Sequence, residues 1–442
     1  MARHFPEDFV FGASTASYQI EGAVAKDGRG ESIWDRFSHT PGKVAGGDNG
    51  DVACDHYHRW EEDLDMAAGA GMSVYRFSLA WPRLFPEGTG MANQPGFDFY
   101  HRIIEGCHQR GIEPWPCLYH WDMPQALMDR GGWLTRDSAS WFADYAEAAA
   151  KSFGNDVPAI ILFNEPSVFT DLGYLKGKHA PGLSGLENFA PAMHHVNLAQ
   201  GLGAERVRQH APDARLGTVL AWADFVPASD DPADLEATCW IDEHNNIGFA
   251  DPLLLGSYPD RAAQTLAASI KDGDLETMKT KFDFIGLNYY IYARCSVDDR
   301  GRPTLLLPDP ALPLSEMGWE TRPQSLTNCL TRFAKRYGDI PLYVTENGLA
   351  APDIQRTDEG RVADHDRIEY LRDHLAAVLD AYQHGVDMRG YLVWSLLDNF
   401  EWAEGYRPRF GLVETDYKTL ERRPKLSYDW FADVAKSGVL PD

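Results

Sequence analysis

Eight apolar runs recur along this chain, and most of them are followed by a stretch with helical periodicity. The runs are rich in Val, Ile, Leu, Phe and Tyr, and most are continuously apolar rather than alternating. Continuous apolarity is typical of strands that a parallel sheet buries on both faces. The runs predict strands at residues 8–15, 72–79, 112–120, 159–165, 215–225, 282–290, 341–346 and 390–397.

The segments between these runs repeat apolar residues at the spacing of an amphipathic helix. Residues 57–70 and 138–153 have this pattern, and Asp137 is the predicted cap of the second helix. Similar patterns cover residues 198–209, 326–337 and 368–382. Eight strands that alternate with helices predict an α/β fold, a (β/α)8 TIM barrel with long βα loops at its C-terminal face.

The length of the chain is compatible with a single barrel. At about 150 residues per domain, 442 residues suggest roughly three domains, but a barrel with long loops can use more than about 400 residues. No Ser/Gly linker or break in composition divides the sequence. We therefore predict one catalytic barrel domain over residues 1–442.

The net charge of −25 limits the classes of partner. It disfavours nucleic acid, anionic membrane surfaces and strongly acidic substrates. The simplest interpretation is a surface that favours solubility. A cleft that gathers acidic residues around a neutral, hydroxyl-rich small molecule is also compatible with this charge.

The six cysteines form no CxxC pair and no His/Cys cluster with the spacing of a zinc site. We therefore expect free thiols, no metal and no cofactor. The first residues, MARHFPEDFVFG, lack a cationic-then-apolar leader, and no run approaches about 18 apolar residues. These features predict a soluble cytoplasmic protein.

Two of the predicted strands end in a glutamate. The fourth ends at Asn164-Glu165-Pro166, and the seventh ends at Thr345-Glu346-Asn347-Gly348. A carboxylate where an apolar strand meets a turn is costly unless something uses it. A parallel barrel brings both strand ends to one face. Two facing carboxyl groups are the minimum equipment for cleaving a glycosidic bond.

Other strand ends carry polar and aromatic residues. Taken singly, each has a structural explanation: an arginine can be a buried ion-pair partner, a histidine a satisfied core residue, and a tryptophan a packing residue. Their shared place at the strand ends favours a sugar site, in which amide, imidazole and carboxylate groups bind hydroxyls and indole faces stack on the ring. These residues are Gln19, Arg76, His120, Trp121, Asn288, Tyr290, Trp394, Glu401 and Trp402.

The motifs that contain these residues resemble glycoside hydrolase family 1, the β-glucosidase family, over essentially the whole chain and in the family's order. A single motif such as NEP would be weak, whereas the full set is specific. The matching stretches are FVFGASTASYQIEGA (9–23), RFSLAWPR (76–83), YHWDMPQAL (119–127), FNEP (163–166), GLNYY (286–290), MGWE (317–320), YVTENG (343–348) and WSLLDNFEWAEGY (394–406).

The resemblance implies a role for each matched residue. Glu165 would be the general acid and then the general base, and Glu346 the nucleophile. Arg76, Asn288 and Tyr290 would support the nucleophile, and Asn164 would hold the 2-hydroxyl of the sugar. The substrate-binding set would be Gln19, His120, Trp394, Glu401 and Trp402 around the non-reducing sugar, Trp319 beside the leaving group, and Trp121 and Phe410 in addition.

The chemistry of a retaining mechanism agrees with these roles. It needs one ionised and one protonated carboxyl at the same pH. Arg76 would favour the ionised form of Glu346, whereas burial near another carboxylate would raise the pKa of Glu165. The two carboxyls would then lie about 5–5.5 Å apart, against about 6.5–9.5 Å in an inverting enzyme.

Two local features bear on the substrate. Ser167 and Val168 follow the NEP motif, where family members often carry an aromatic residue. Glu401-Trp402 stands where the phospho-glycosidases of the family carry a serine, and a carboxylate would repel a phosphorylated sugar. We therefore expect a non-phosphorylated β-glycoside. The main hypothesis is a β-glucosidase that also accepts β-galactosides or β-fucosides, since Gln19 and Glu401 could tolerate either orientation of the 4-hydroxyl.

Three alternatives stay open. A transglycosylase would use the same site with a sugar in place of water. A non-catalytic sugar-binding barrel would need neither glutamate. A metal or cofactor barrel is disfavoured, because the sequence has no HExxH motif and no Gly-rich phosphate loop after a strand. The pair His194-His195 is interpreted as surface or packing residues.

Overall fold

The computed structural model describes residues 3–441, in which eight parallel strands close a barrel. The strands follow one another around the barrel in chain order, so the predicted (β/α)8 fold is confirmed. We number them as barrel strands one to eight. They are Val10–Ser14, Val74–Ser78, Glu113–Tyr119, Ala159–Asn164, Arg215–Ala221, Phe284–Asn288, Leu342–Asn347 and Met388–Val393.

A helix of 11 residues or more follows each barrel strand in the sequence, and the one after strand five, Pro232–Asp242, packs on a small sheet outside the barrel. The eight helices are His56–Gly69, Gln94–Gln109, Asp137–Phe153, Leu186–His210, Pro232–Asp242, Pro323–Tyr337, His365–Gln383 and Leu426–Ser437. Shorter α-helices are Ser17–Ile20, Ile33–Ser38, Trp81–Leu84, Gln125–Met128, Pro166–Thr170, Gly248–Leu254, Asp260–Leu266 and Asp274–Met278. The 3₁₀ turns are Ala45–Gly47, Gly132–Leu134 and Trp402–Glu404, and the π-helices are Asp171–Leu175 and Glu243–Ile247.

Three local predictions were wrong. Barrel strand eight ends at Val393 and does not reach residue 397. Asp137 is the first residue of its helix rather than the cap, which is Arg136, and no side chain caps this helix. Barrel strand five ends at Ala221 and does not reach residue 225. Beyond it the chain follows the loop after strand six, because the amide of Trp222 donates to the carbonyl of Asn288.

Within residues 3–441, three small sheets lie outside the barrel. Asp224–Pro227, Tyr292–Val297 and Pro303–Leu305 form one of them beside the loops after strands five and six. Val413–Thr415 pairs with Arg422–Pro424. Near the two ends of the described chain, Arg3–His4 pairs with Val439–Leu440.

The apolar core has two layers. The inner layer fills the barrel, where the Trp115 ring lies 5.2 Å from Phe284 and 5.0 Å from Tyr343 between ring centroids. The outer layer lies between the strands and the helices. These apolar side chains separate two sets of polar groups on the strands. Arg215 pairs with Glu113 at the amino end of the barrel, and the predicted site residues lie at its carboxyl end.

Between residues 3 and 441, no helix is both long and apolar enough to cross a membrane. The cytoplasmic location stays a prediction.

Candidate active site

An irregularity in barrel strand four turns Asn164 into the barrel. Ala159 and Ile161 face the interior, so strict alternation would also turn Phe163 inward. Instead the Phe163 ring packs outside, 4.4 Å from Phe142 on the neighbouring helix. The register with strand five shifts between Ile161 and Asn164, and such a shift re-aims the side chains that follow it.

Barrel strand seven has a similar irregularity before Glu346. Tyr343 faces the interior and Val344 packs outside, so strict alternation would turn Glu346 outward. The register with strand six shifts between Val344 and Glu346. The Glu346 carboxylate consequently meets Arg76 inside the barrel.

Arg76 joins the ends of strands four and seven. Its guanidinium is fully buried, and Nη1 donates to Glu346 Oε1 at 2.6 Å while Nη2 donates to Asn164 Oδ1 at 2.5 Å. The planar fork of an arginine fixes both contacts at once. Arg76 therefore sets the position of the Glu346 carboxylate relative to strand four.

Asn288 contacts the other carboxyl group. Its Nδ2 donates to Glu165 Oε1 at 3.0 Å and to Asn164 Oδ1 at 3.1 Å. Its Oδ1 accepts from Thr345 Oγ1 at 2.7 Å, which fixes the orientation of the amide. The structure therefore places Asn288 between the two carboxyls, where it donates to Glu165 and also helps to lower the pKa of Glu346.

Tyr290 lies beside Glu346. Its hydroxyl donates to Glu346 Oε2 at 3.3 Å, so each oxygen of this carboxylate has a donor. Glu346 and Glu165 are both buried, with 4% and 6% of their surface exposed. Carboxylates this buried are held by hydrogen bonds and by the arginine rather than by water.

The environment makes the two carboxyls unequal. Burial, and next the charge of Glu346, raise the pKa of Glu165 to about 8. Burial also raises the pKa of Glu346, but Arg76 and the Tyr290 hydroxyl counteract that effect. The proton that the pair holds near neutral pH therefore belongs on Glu165, and Glu346 is the ionised member.

Among the predicted sugar-binding residues, three buried polar atoms have no hydrogen-bond partner within residues 3–441. They are Gln19 Oε1, His120 Nδ1 and Glu401 Oε2. Unpaired buried polar atoms are costly, and a hydroxyl-bearing ligand would supply their missing hydrogen bonds.

Neighbouring contacts fix two of these side chains. Gln19 Nε2 donates to the Phe400 carbonyl at 2.7 Å and to Asn399 Oδ1 at 3.0 Å, so its Oε1 is left over. His120 Nε2 lies 2.9 Å from Asn164 Nδ2. Burial, and next the charge of Arg76, lower the pKa of His120 well below its usual value, so the imidazole is neutral.

The aromatic residues form two groups. Around His120, the Trp402 ring lies 4.6 Å from Trp121, and Trp394 lies 6.0 Å from the imidazole. In the second group the Trp319 ring lies 5.4 Å from Tyr290 and 6.4 Å from Phe410. All the predicted site residues therefore lie at the carboxyl end of the barrel, and Tyr290 places the second group next to Glu346.

Three predicted site residues adopt left-handed backbone conformations. The φ angles are 49° at Glu165, 79° at Trp121 and 49° at Trp402. Such angles are unfavourable for residues other than glycine and persist only where the surroundings enforce them. At Trp121 one such contact is the hydrogen bond from its Nε1 to the Asn164 carbonyl, at 3.0 Å.

Two residues near the site were missed. Asn399 orients Gln19, and the His179 ring lies 5.7 Å from Trp121. Asn399 falls within a stretch of polar residues after strand eight that could have marked it, whereas nothing in the sequence around His179 sets it apart. Both depend on the paths of long loops.

The histidine pair has a packing role. His194 and His195 are both buried, and His194 Nε2 lies 2.8 Å from Asp274, so the packing interpretation holds and the surface interpretation is wrong. Among residues 3–441, no group of three or more His, Cys, Asp or Glu side chains could hold a metal ion.

Comparison with known proteins gives consistent matches. The family model described as Glycosyl hydrolase family 1 matches residues 1–439. Beta-glucosidase A of Thermotoga maritima is 43% identical over 100% of this chain and 99% of its own length. The beta-glucosidase of an Agrobacterium species is 44% identical over 98% of this chain and 96% of its own. A bifunctional beta-D-glucosidase/beta-D-fucosidase of Bifidobacterium breve is 42% identical over 98% of both chains.

Solved structures agree over the same extent. The family 1 β-glucosidase from Thermotoga maritima superposes with a TM-score of 0.96 at 42% identity and covers 100% of both chains. The complex of a Thermotoga maritima β-glucosidase with glucoimidazole superposes with a TM-score of 0.94 at 42% identity and covers 98% of this chain and 99% of that one.

Proposed function

Because this chain belongs to glycosyl hydrolase family 1, we propose that it is a retaining β-glucosidase that removes terminal, non-reducing β-D-glucosyl residues from small glycosides. The observation that carries the proposal is the inequality of the two buried carboxyls. Glu165 holds a proton near neutral pH, while Glu346 is ionised beside Arg76. A double displacement needs this combination.

In the first step, Glu346 attacks the anomeric carbon and forms an ester bond to the sugar. The bond between that carbon and the leaving oxygen breaks, and Glu165 gives its proton to the oxygen. Arg76 and Tyr290 hold the attacking carboxylate in place. Direct attack by Glu346 requires the two carboxyls to lie about 5–5.5 Å apart, which is the predicted separation.

In the second step, Glu165 acts as a base. The ester removes the charge of Glu346, which is one cause of the raised pKa of Glu165. Glu165, which gave up its proton in the first step, therefore stays ionised and can accept a proton from water. Water attacks the anomeric carbon from the face opposite Glu346, the bond between that carbon and the Glu346 oxygen breaks, and Glu346 leaves as a carboxylate. Two inversions give a product that keeps the β configuration.

The sugar would lie against the group around His120. Gln19 Oε1, His120 Nδ1 and Glu401 Oε2 lack partners and would bind ring hydroxyls, while Asn164 would hold the 2-hydroxyl. Trp394, Trp402 and Trp121 would pack on the ring, and Trp319 with Phe410 would flank the leaving group.

A second activity, on β-fucosides, is part of the proposal. The Bifidobacterium breve relative is named for both activities. Fucose lacks the 6-hydroxyl and inverts the 4-hydroxyl relative to glucose, and Gln19 and Glu401 could accept a hydrogen bond in either orientation. Comparing kcat/KM for 4-nitrophenyl β-glucoside, β-galactoside and β-fucoside measures this breadth.

The decisive experiment compares wild type with Glu346→Gly and Glu165→Ala on 4-nitrophenyl β-glucoside, with azide added to Glu346→Gly. We expect Glu346→Gly to be inactive and azide to restore turnover with an α-glucosyl azide product. Azide takes the place of the missing nucleophile, so the single displacement inverts the configuration.

Other outcomes have clear meanings. Near-normal activity of Glu346→Gly would contradict the assignment of the nucleophile. A wild type that is inactive on every β-glycoside would favour a non-catalytic sugar-binding barrel. Products that contain an added acceptor sugar would indicate transglycosylation by the same site.

A further inference from the structure

Four predicted sugar-site residues lie on one connection after barrel strand eight, which we call the strand-eight loop, residues 394–412. They are Trp394, Glu401, Trp402 and Phe410. The only helical element in this loop is the turn Trp402–Glu404, and its one strand-like contact is the bridge from Leu397 to Val413. Repeating secondary structure therefore does not hold these side chains in position.

A buried carboxylate closes the base of this loop. Asp398 Oδ1 accepts from the Gly411 amide at 2.9 Å, and Asp398 Oδ2 accepts from Arg409 Nη1 at 3.1 Å. The amide of Asp398 donates to the Val413 carbonyl at 3.0 Å. Both limbs of the strand-eight loop thus meet at Asp398, three residues before Glu401.

Lys425 reaches this carboxylate from outside the loop. It lies between Arg422–Pro424 and the final long helix, and its side chain is 0% exposed. Its Nζ donates to Asp398 Oδ1 at 2.7 Å and also to Asp353. Asp353 belongs to the loop after strand seven, which begins just beyond Glu346.

The cluster around Lys425 extends to the helix after strand seven and balances its charges. Arg367 Nη2 donates to Asp353 Oδ1 at 3.0 Å, and Arg367 also pairs with Asp364. Three cations, Lys425, Arg367 and Arg409, therefore face three carboxylates. Removing one member of such a buried set leaves an unpaired charge, and the surrounding backbone must move to hydrate it.

We infer that Lys425 is a positioning residue for the strand-eight loop, and that its contact with Asp398 holds the sugar-binding side chains of that loop in the geometry that fits the substrate. This inference rests on the proposed function. Lys425 acts through Asp398 and the loop backbone, and it touches neither carboxyl of the catalytic pair. Its loss should therefore weaken sugar binding more than it slows the chemical steps.

The test is a kinetic comparison of Lys425→Met, Lys425→Arg and wild type on 4-nitrophenyl β-glucoside, well below each melting temperature. Methionine is unbranched and only one atom shorter than lysine, and it removes the charge. We expect KM to rise by about 10-fold or more, because the displaced side chains lose hydrogen bonds to the sugar and about 1.4 kcal/mol of lost binding free energy is tenfold in affinity. We expect kcat to change less than KM, and Lys425→Arg to recover most of the loss.

A matched control separates positioning from general destabilisation. Arg336, on the helix Pro323–Tyr337, pairs with the buried Asp251 on the helix Gly248–Leu254, away from the strand-eight loop. Arg336→Met removes this cation. We expect this variant to lose thermal stability and to keep the wild-type KM. An unchanged KM in folded Lys425→Met, or an equal rise in Arg336→Met, would overturn the inference.

A second variant covers the case in which Lys425→Met does not fold. Asp353→Asn weakens the outer partner of Lys425 and leaves the pairing with Asp398. A smaller rise in KM is expected, and no rise would contradict the inference. A wild type without β-glycosidase activity would instead defeat the proposed function, so the two failures can be told apart.

Discussion

Arg76 makes the two carboxyls at the mouth of the barrel unequal. It touches Glu346 directly, whereas Glu165 receives only an amide hydrogen from Asn288. A direct ion pair offsets the cost of burying a charge, and an amide does so much less. The division of roles between two chemically identical residues thus follows from which of them the arginine reaches.

The raised pKa of Glu165 predicts the alkaline limb of the pH profile. The general acid must be protonated, so kcat/KM should fall as the pH rises through about 8. In Glu165→Gln this limb should disappear with 2,4-dinitrophenyl β-glucoside, whose leaving group needs no proton. A limb that persists in Glu165→Gln would show that another group titrates.

The same shift predicts an effect on stability. Near pH 4, Glu165 is largely protonated in both the folded and the unfolded state. As the pH rises from about 5 towards 8, the unfolded state loses this proton while the folded state largely keeps it, so the folded state becomes less stable. Glu165→Gln should therefore raise the Tm at pH 8 by about 2 °C or more and change it little at pH 4. The exposed Glu359→Gln serves as a control with no pH-dependent difference. Equal Tm values of Glu165→Gln and wild type at pH 8 would contradict this account.

At the scale of residues, the sequence was enough to locate the site but not the residues that hold the site residues in position. Glu165 and Glu346 stand out because each interrupts an apolar strand at a turn. Lys425 and Asn399 do not, because a lysine and an asparagine in irregular segments are normally exposed. Their importance comes from the paths of two long loops, which periodicity does not encode.

At the scale of elements, the two register shifts decide where the catalytic side chains point. A regular strand four would direct Phe163 into the barrel, and a regular strand seven would direct Glu346 out of it. The strands themselves were predictable from continuous apolar runs. The shifts were not, because continuous apolarity carries no information about which face a residue occupies.

Thr345 sits inside the strand-seven irregularity and gives a test of it. Thr345→Val keeps the shape but leaves Asn288 Oδ1 without its donor, so the amide can rotate away from Glu165. We expect kcat to fall by about 10-fold, equivalent to about 1.4 kcal/mol in the barrier. Thr345→Ser keeps the hydroxyl and should remain close to wild type. A kcat for Thr345→Val equal to that of Thr345→Ser would contradict the proposed orientation.

At the scale of the whole molecule, the architecture was the most predictable feature. Eight runs in the right order leave few alternatives to a closed parallel barrel, since each crossover needs a helix on the outer face. The sequence predicts too long a strand five, because Phe225 and the apolar residue after it belong to a separate small sheet. The pairing of Arg3–His4 with Val439–Leu440 was not foreseen, because two residues are too short to show a period.

That pairing has a consequence for the connectivity of the chain. Residues 3 and 440 are partners, and they lie by the amino ends of the strands, opposite the catalytic face. A circular permutant could join the two ends with about four Gly/Ser residues and open the exposed turn between Arg300 and Gly301. We expect the permutant to keep kcat within about 3-fold of the parent, because neither cut nor join moves a catalytic strand. A permutant that folds but is inactive would mean that the geometry of the site depends on the original order of the elements along the chain, and not only on the closed ring of strands.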